Sequence, residues 1–323
     1  MIENPTCPVC GGDSWESISR QTFVRGAAGR SIPTALRFRV LFEVWAPGVD
    51  RLTVRYVLCQ GCGLVISAPR PTANEVSAKY AFLGGATSST VANPVVMPVD
   101  RRRSTEILEL VSPFLTARAR VLDFGGGTGS LMTSFMAQGC ECAVIDYAPE
   151  TIPGVERIGE TLDALPADRR FDLIIASHVI EHVTDPVATV RSLADHLAAD
   201  GLIYLAVPLE LAGRAPRRSD PVTHINFFAE PSVRELLRRT GLVTVTCRTE
   251  ATTHSGGPRE LAVRAIAKLG GDDGLRPRDP VSNAADEVRR LIRLSPAGRA
   301  AFLLRYPGRV WNPLRRLCAK RGW

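Results

Sequence analysis

Two Cys-x-x-Cys pairs, Cys7/Cys10 and Cys59/Cys62, are each followed by a glycine. Such turns can direct four sulfurs and the adjacent backbone N–H groups onto one tetrahedral, closed metal site, which makes a structural zinc the expected occupant. A second grouping is Val121-Leu122-Asp123-Phe124-Gly125-Gly126-Gly127-Thr128-Gly129, a strand-like run ending in an acid that leads into a glycine-rich turn ahead of a helix. Glycines there let the backbone turn tightly and approach a ligand closely, and the helix N-terminus offers unpaired N–H groups. Asp146 ends the next apolar run, where a carboxylate can accept both hydroxyls of a ribose. The third grouping is imidazole: three of the five histidines, His178, His182 and His224, follow the fourth and fifth apolar runs. Imidazole titrates near neutrality and suits proton removal from a hydroxyl.

Two ligands could use the glycine turn, a dinucleotide or S-adenosylmethionine. A dinucleotide fingerprint counted from Gly125 needs Gly or Ala at position 130, which is Ser130, whereas Gly-x-Gly-x-Gly fits Gly125, Gly127 and Gly129. S-adenosylmethionine carries an ammonium and a sulfonium, so Asp123 near the turn, acting through water or the backbone, suits it better than a pyrophosphate. Among the histidines, His224 is the first candidate for a general base, ahead of His178. His182, beside Glu181, has two readings: a base or metal ligand, or a structural residue next to the helix that starts near Asp185 and Pro186.

Residues 118–247 resemble class I methyltransferases of the group typified by ubiquinone and small-molecule methyltransferases, through VLDFGGGTG, the acid Asp146, and FDLIIASHVIEHVTDP at 171–186. The resemblance implies that Phe124 and the three glycines line the methionine end of the cofactor and that Asp146 and Tyr147 hold its ribose. It also implies adenine contacts from Thr161 and Leu162, and places Ser177 and His178 beside the methyl group. Many relatives have an Asp where Thr161 stands, and Asp163 is the alternative here. His224 falls in THINFF, similar to a His-x-x-Phe-Phe/Ser run whose histidine belongs to the active-site cluster of sugar C-methyltransferases; Thr223 replaces their glutamate. The stretch Cys59–Tyr80, with CGLVISAPRPTANEVSAKY, resembles an N-terminal module of methyltransferases from sugar and polysaccharide gene sets.

Elements must hold these residues in place. The expected architecture is α/β: a Rossmann-like, seven-stranded methyltransferase sheet with helices on both faces, a small β-rich zinc-ribbon-like N-terminal module, and a basic helical C-terminal tail. The expected divisions are a zinc module at 1–70, a connector at 71–100 with a short helix over Asn74–Tyr80, the cofactor-binding domain at 101–267, and the extension at 268–323. In the first, Leu36–Val44 and Leu52–Leu58 look like strands. In the third, strands are expected at Arg120–Phe124, Glu141–Asp146, Val155–Ile158, Phe171–Ala176 and Leu202–Val207, then a hairpin of Val243–Arg248 and Glu260–Ala267 turning at Ser255–Pro258, with a helix over Ser130–Gln138.

Charge narrows the partners. The net +7 is concentrated at the end: Val288–Trp323 holds ten Arg and Lys and no acid, whereas the preceding 287 residues carry 30 basic against 33 acidic side chains. A slightly acidic body disfavours a phosphate-tracking surface, and with it an rRNA base methyltransferase as the alternative enzyme class. The tail, with Leu291, Ile292, Phe302, Leu303, Leu304 and Trp311 among its arginines, fits an amphipathic helix pair that packs on the body or touches an anionic membrane peripherally. Without a signal-like start or an apolar span of about 18 residues, a cytoplasmic location is expected, where eight cysteines serve as ligands or buried thiols. The expected function is S-adenosylmethionine-dependent O-methylation of a sugar, glycan or secondary-metabolite hydroxyl. The alternatives are sugar C-methylation and a non-catalytic cofactor-binding assembly protein.

Overall fold

The computed structural model describes residues 1–3, 5–27, 32–87, 96–216, 222–254, 257–270 and 283–306. The two cysteine knuckles lie at the ends of the first strands. Trp15–Val24 (β1) pairs antiparallel with Arg51–Cys59 (β2), and β2 pairs antiparallel with Val65–Ala68 (β3). The Leu36–Val44 run, expected as a strand, is helical: Ile32–Arg39 (α1) continues into a π-helical stretch, Val40–Trp45. Leu36, Phe38 and Val40 alternate as in a strand, but Val40, Leu41, Phe42 and Trp45 are buried together, and Leu41 and Trp45 fall one helical turn apart. Arg39 and Glu43 pair one turn apart on the outer face.

Ala73–Thr87 (α2) and Pro98–Val111 (α3) lead into the larger sheet. Its elements are Arg120–Phe124 (β4), Thr133–Ala137 (α4), Glu141–Ile145 (β5), Val155–Gly159 (β6), Phe171–Ser177 (β7), Pro186–Ala194 (α5) and Leu197–Pro208 (β8). The helix expected over Ser130–Gln138 opens as a 3-10 turn, Ser130–Met132, before α4. After β8 come Asn226–Phe227 (β9), Glu230–Arg239 (α6), Leu242–His254 (β10) and Gly257–Leu269 (β11). The seven strands lie in the order β10-β11-β8-β7-β4-β5-β6; neighbours from β6 to β8 are parallel, and β11 runs antiparallel between β8 and β10. This is the Rossmann-like methyltransferase sheet with its terminal hairpin. The tip expected at Ser255–Pro258 falls partly outside the described residues.

Alternation along the parallel strands builds a core on each face. Val121, Leu173 and Leu202 join Ile107, Val111 and Phe135 of α3 and α4. Leu122, Ile174 and Ile203 join Val190, Leu193, Leu236 and Leu237 of α5 and α6. That second core continues into the cysteine module, taking in Tyr56, Leu58 and Ile66. The continuity has a backbone counterpart, because β9 leaves the larger fold to pair with β3, completing a four-stranded sheet ordered β1-β2-β3-β9.

Ala284–Ile292 (α7) and Pro296–Leu304 (α8) follow. The tail helices thus begin at Ala284, ahead of the basic run. Val288 is fully buried, and Arg289 pairs with Glu16 of β1 at 2.6 Å and donates to Gln60 at 3.0 Å. Gly63, past the second knuckle, has φ +74°, and a Cβ there would lie 2.9 Å from Ala284 O and from Val288 Cγ2. Only glycine accommodates both that backbone and the helix on top of it. The tail expected to pack on the body or touch a membrane is described as far as Tyr306; its part from 307 to 323, with Trp311, is outside the described residues. No helix among the described residues is long and apolar enough to cross a membrane.

Candidate functional site

The carboxyl ends of β4, β5, β6, β7 and β8 bring most of the sequence-predicted residues to one edge, with the chain order reversing between β4 and β7. Gly125, Gly127 and Gly129 have φ of +71°, +58° and +77°. A Cβ on Gly127 would meet nothing within 4 Å, so the turn presents bare backbone to open space.

Behind the turn lies Asp123, 1% exposed, whose Oδ2 has no hydrogen-bond partner among the described residues. Burial pushes its carboxyl up to about 7; the Arg103 guanidinium pulls the other way. Arg103, from α3, also donates to Ser177 Oγ at 3.3 Å. A buried carboxylate and a guanidinium at the same strand ends match the ammonium and carboxylate of an amino acid. Sequence reasoning missed Arg103, which stands in an ordinary-looking Arg-Arg-Arg run.

Asp146, half-buried, follows β5 directly, and its Oδ1 accepts from Ala148 N at 2.8 Å in an Asx-type turn. Tyr147 is 48% exposed and stacks on Tyr80 of α2, with ring centroids 5.2 Å apart and planes 16° apart. Thr161 sits just before a short 3-10 turn, Leu162–Ala164, two residues after β6; its hydroxyl faces Asp163 Oδ2 at 3.5 Å. Leu162 is half-buried beside it. Phe124, half-buried, closes β4.

The three histidines line one cavity of about 380 Å³, together with Glu181, Glu210 and Glu260. His178 follows β7 with φ +61°, in the left-handed region that His enters more readily than most non-glycine residues. Its Nδ1 lies 3.5 Å from Glu181 Oε1 and its Nε2 3.3 Å from Glu260 Oε1. His182 donates from Nδ1 to Thr223 O at 2.5 Å, and burial pushes its pKa down to about 4, so it is neutral near pH 7. His224 Nδ1 sits 2.7 Å from Glu210 Oε2, and its ring meets that of His182 edge-on, centroids 4.9 Å apart. With Nδ1–H given to a carboxylate, Nε2 becomes the basic nitrogen, an orientation that favours proton abstraction.

Glu181 is 1% exposed, and its Oε1 lies 3.5 Å from His178 Nδ1 and 3.8 Å from His182 Nε2. Burial alone would raise its pKa, but the hydrogen bond from His178 and the electrostatic influence of the three surrounding imidazoles hold it below the usual range. Ligand atoms of Glu181, His182 and His224 fall within 4.8 Å of one another. Glu210 and Glu260 were invisible in sequence because the first lies past the end of β8 and the second on the returning strand of the hairpin.

The four predicted metal-ligating cysteines converge. Cys7 and Cys62 sulfurs are 3.6 Å apart, Cys10 and Cys59 sulfurs 3.4 Å, and all four lie within 4.8 Å. Tetrahedral zinc at about 2.3 Å from each sulfur requires separations near 3.8 Å, so the cluster fits such an ion after small adjustments. The thiols are strongly coupled: hydrogen bonds from Cys62 and Cys7 push Cys59 down, while Cys7 and Cys62 are themselves pushed up.

Comparison with known proteins places this edge in context. Residues 99–246 match the family described as "Methyltransferase domain". The ubiquinone biosynthesis O-methyltransferase of Xanthomonas euvesicatoria pv. vesicatoria is 34% identical over 114 residues, covering 31% of this chain and 47% of that protein. The Rickettsia conorii protein of the same name is 25% identical over 149 residues, covering 41% and 52%. The chain therefore spans about half the length of the curated relatives it matches. Among solved structures, Burkholderia thailandensis 1,6-didemethyltoxoflavin-N1-methyltransferase, with 1,6-didemethyltoxoflavin and S-adenosylhomocysteine bound, is 19% identical at a TM-score of 0.47, covering 64% of this chain and 96% of that one.

Proposed function

We propose, from the methyltransferase-domain match over residues 99–246 and the glycine turn that opens beside a histidine-lined cavity, that this chain is an S-adenosylmethionine-dependent methyltransferase. One observation carries the reading: Gly127 presents open backbone at the same strand edge where Asp123 holds a buried oxygen unpartnered among the described residues and Asp146 follows the next strand. S-adenosylmethionine supplies an electrophilic methyl group on sulfonium. Asp123 with Arg103 would hold the amino-acid end, Asp146 and Tyr147 the ribose, Thr161 and Leu162 the adenine, and Ser177 the neighbourhood of the methyl group.

The acceptor reading is a small-molecule or glycan hydroxyl held in the polar cavity. His224 would take its proton at Nε2, with Glu210 stabilising the imidazolium that forms. His178, flanked by Glu181 and Glu260, would orient the acceptor. His182, neutral and anchored to Thr223 O, would fix the wall of the cavity. Cys7, Cys10, Cys59 and Cys62 would hold a structural zinc. The division into a zinc module at 1–70, connector at 71–100, catalytic domain at 101–267 and extension at 268–323 is part of the same proposal, as is peripheral membrane contact through the tail.

The test has two arms. Calorimetry should show S-adenosylmethionine binding in the wild type and at least a tenfold loss in Gly127→Val and Asp146→Ala, since one fills the open space and the other removes the ribose acceptor. His224→Ala should keep cofactor affinity while slowing methyl transfer about a hundredfold, with a smaller deficit at high pH where the acceptor ionises unaided. Metabolite profiling of a deletion strain, searching for products lighter by one methyl group, identifies the acceptor for the second arm. Equal cofactor affinity in all three proteins would misplace the site.

A further inference from the structure

Arg70, between β3 and α2, is 3% exposed, yet no carboxylate pairs with it among the described residues. Its guanidinium is used entirely on backbone oxygens of the other half of the molecule. Nη1 donates to Ile225 O at 3.1 Å; Nη2 donates to Thr184 O at 2.9 Å and Val183 O at 3.4 Å. Those carbonyls belong to two separate loops: Val183 directly follows His182, and Ile225 directly follows His224. One planar, rigid fork therefore spans the two loops that carry the paired imidazoles, a task that suits arginine's fixed geometry.

Arg70 is itself held firmly. Its backbone exchanges hydrogen bonds with Ile2 at 2.6 and 2.8 Å, and the terminal amine of Met1 pairs with Glu75 at 2.7 Å nearby. The same loops receive further support from β3 and α2: Ser67 N donates to Ile225 O at 3.4 Å, and Lys79 donates to Val222 O at 2.9 Å. Asn226 then ties the loops to each other, donating to Ile180 O at 3.0 Å and Val183 O at 2.8 Å. Burying a guanidinium without a direct counter-ion is costly: burial pulls the Arg70 pKa down to about 10, with Cys7 and Asp185 acting the other way. A divalent zinc held by four thiolates would leave a net negative charge in the cysteine module that carries Cys7.

We propose that Arg70 is the positioning residue of the acceptor site: by bridging Val183, Thr184 and Ile225 it sets the spacing of His182 and His224, so that the cysteine module forms part of the catalytic apparatus. The assignment rests on the acceptor site proposed above. It differs from a purely structural role in predicting a local change at the two rings and none at the glycine turn.

The deciding experiment compares full-length, zinc-loaded wild type, Arg70→Lys and Arg70→Met. Carbon-13-labelled histidine gives the contact between the His182 and His224 rings, and calorimetry gives affinity for S-adenosylhomocysteine. In Arg70→Met the ring–ring cross-peak should be lost while S-adenosylhomocysteine affinity stays within about twofold. Arg70→Lys, which keeps a buried cation that can reach one carbonyl, should retain a weakened cross-peak; it carries the comparison alone if the methionine variant does not fold. A full-strength cross-peak in a folded Arg70→Met, or parallel loss of cross-peak and cofactor affinity in both variants, would overturn the assignment. Failure of wild type to bind S-adenosylhomocysteine would instead sink the methyltransferase reading, leaving the ring contact to judge Arg70 separately.

Discussion

Asp123 shows how one residue can be costly to the fold and useful to the ligand. Its carboxyl is raised from 3.8 to about 7, first by burial, with Asp146 adding to the rise and Arg103 opposing it. Below about pH 4 both folded and unfolded states are protonated at this position and no penalty exists. Between pH 4 and 7 the unfolded chain loses its proton first, so this residue's contribution to stability falls until the folded pKa is passed. Asp123→Asn should therefore melt at a higher temperature than wild type at pH 8, with the advantage vanishing near pH 4. The same variant should bind S-adenosylmethionine at least tenfold more weakly. In wild type, an ammonium next to the carboxylate favours ionisation, so affinity should rise from pH 6 to 8 and binding should release protons. Calorimetry in buffers of different ionisation enthalpy measures both; pH-independent affinity would mean that Asp123 does not sense the ligand.

At the scale of elements, the parallel strands were legible because each is a short apolar run bounded by a turn: Arg120–Phe124 ends where Gly125 begins, and Phe171–Ser177 ends at His178. Two features resisted. Leu36–Val44 alternates over its first residues and so mimics a strand, although Val40, Leu41 and Phe42 are buried together. β9 is only two residues long, too short for any periodicity, and exists because β3 offers it an edge. Gly63 shows what such docking demands. Gly63→Ala would combine a strained φ with contacts of 2.9 Å to Ala284 O and Val288 Cγ2, so α7 must shift. The expected cost is about 1–3 kcal/mol, visible as a melting temperature lower by several degrees and faster proteolysis within α7–α8. An unchanged melting curve would show that α7 packs elsewhere in solution.

For the whole molecule, the cysteines, glycines and histidines could be found in the sequence because their chemistry is tied to type and spacing. Arg70, Tyr80, Arg103 and Glu210 could not, since their importance comes from contacts that only folding creates; Arg70 and Ile225 are 155 positions apart. The continuous core from Tyr56 and Ile66 to Leu236 and Leu237 predicts how metal loss is felt. We expect about one zinc per chain by elemental analysis, and its removal by chelator to lower the melting temperature and weaken the His182–His224 contact before cofactor affinity suffers. A metal-free preparation with undiminished stability would exclude a structural zinc.

The pairing of β3 with β9 also sets an order on biosynthesis. A nascent chain leaves the ribosome from its N-terminus, so the cysteine knuckles and β1–β3 emerge while β9 has yet to be translated. Until then β3 carries an open hydrogen-bonding edge with Val65 and Ile66, the kind of edge that recruits foreign strands. During that interval the edge stays unpaired, and slow translation between β3 and β9 lengthens its exposure.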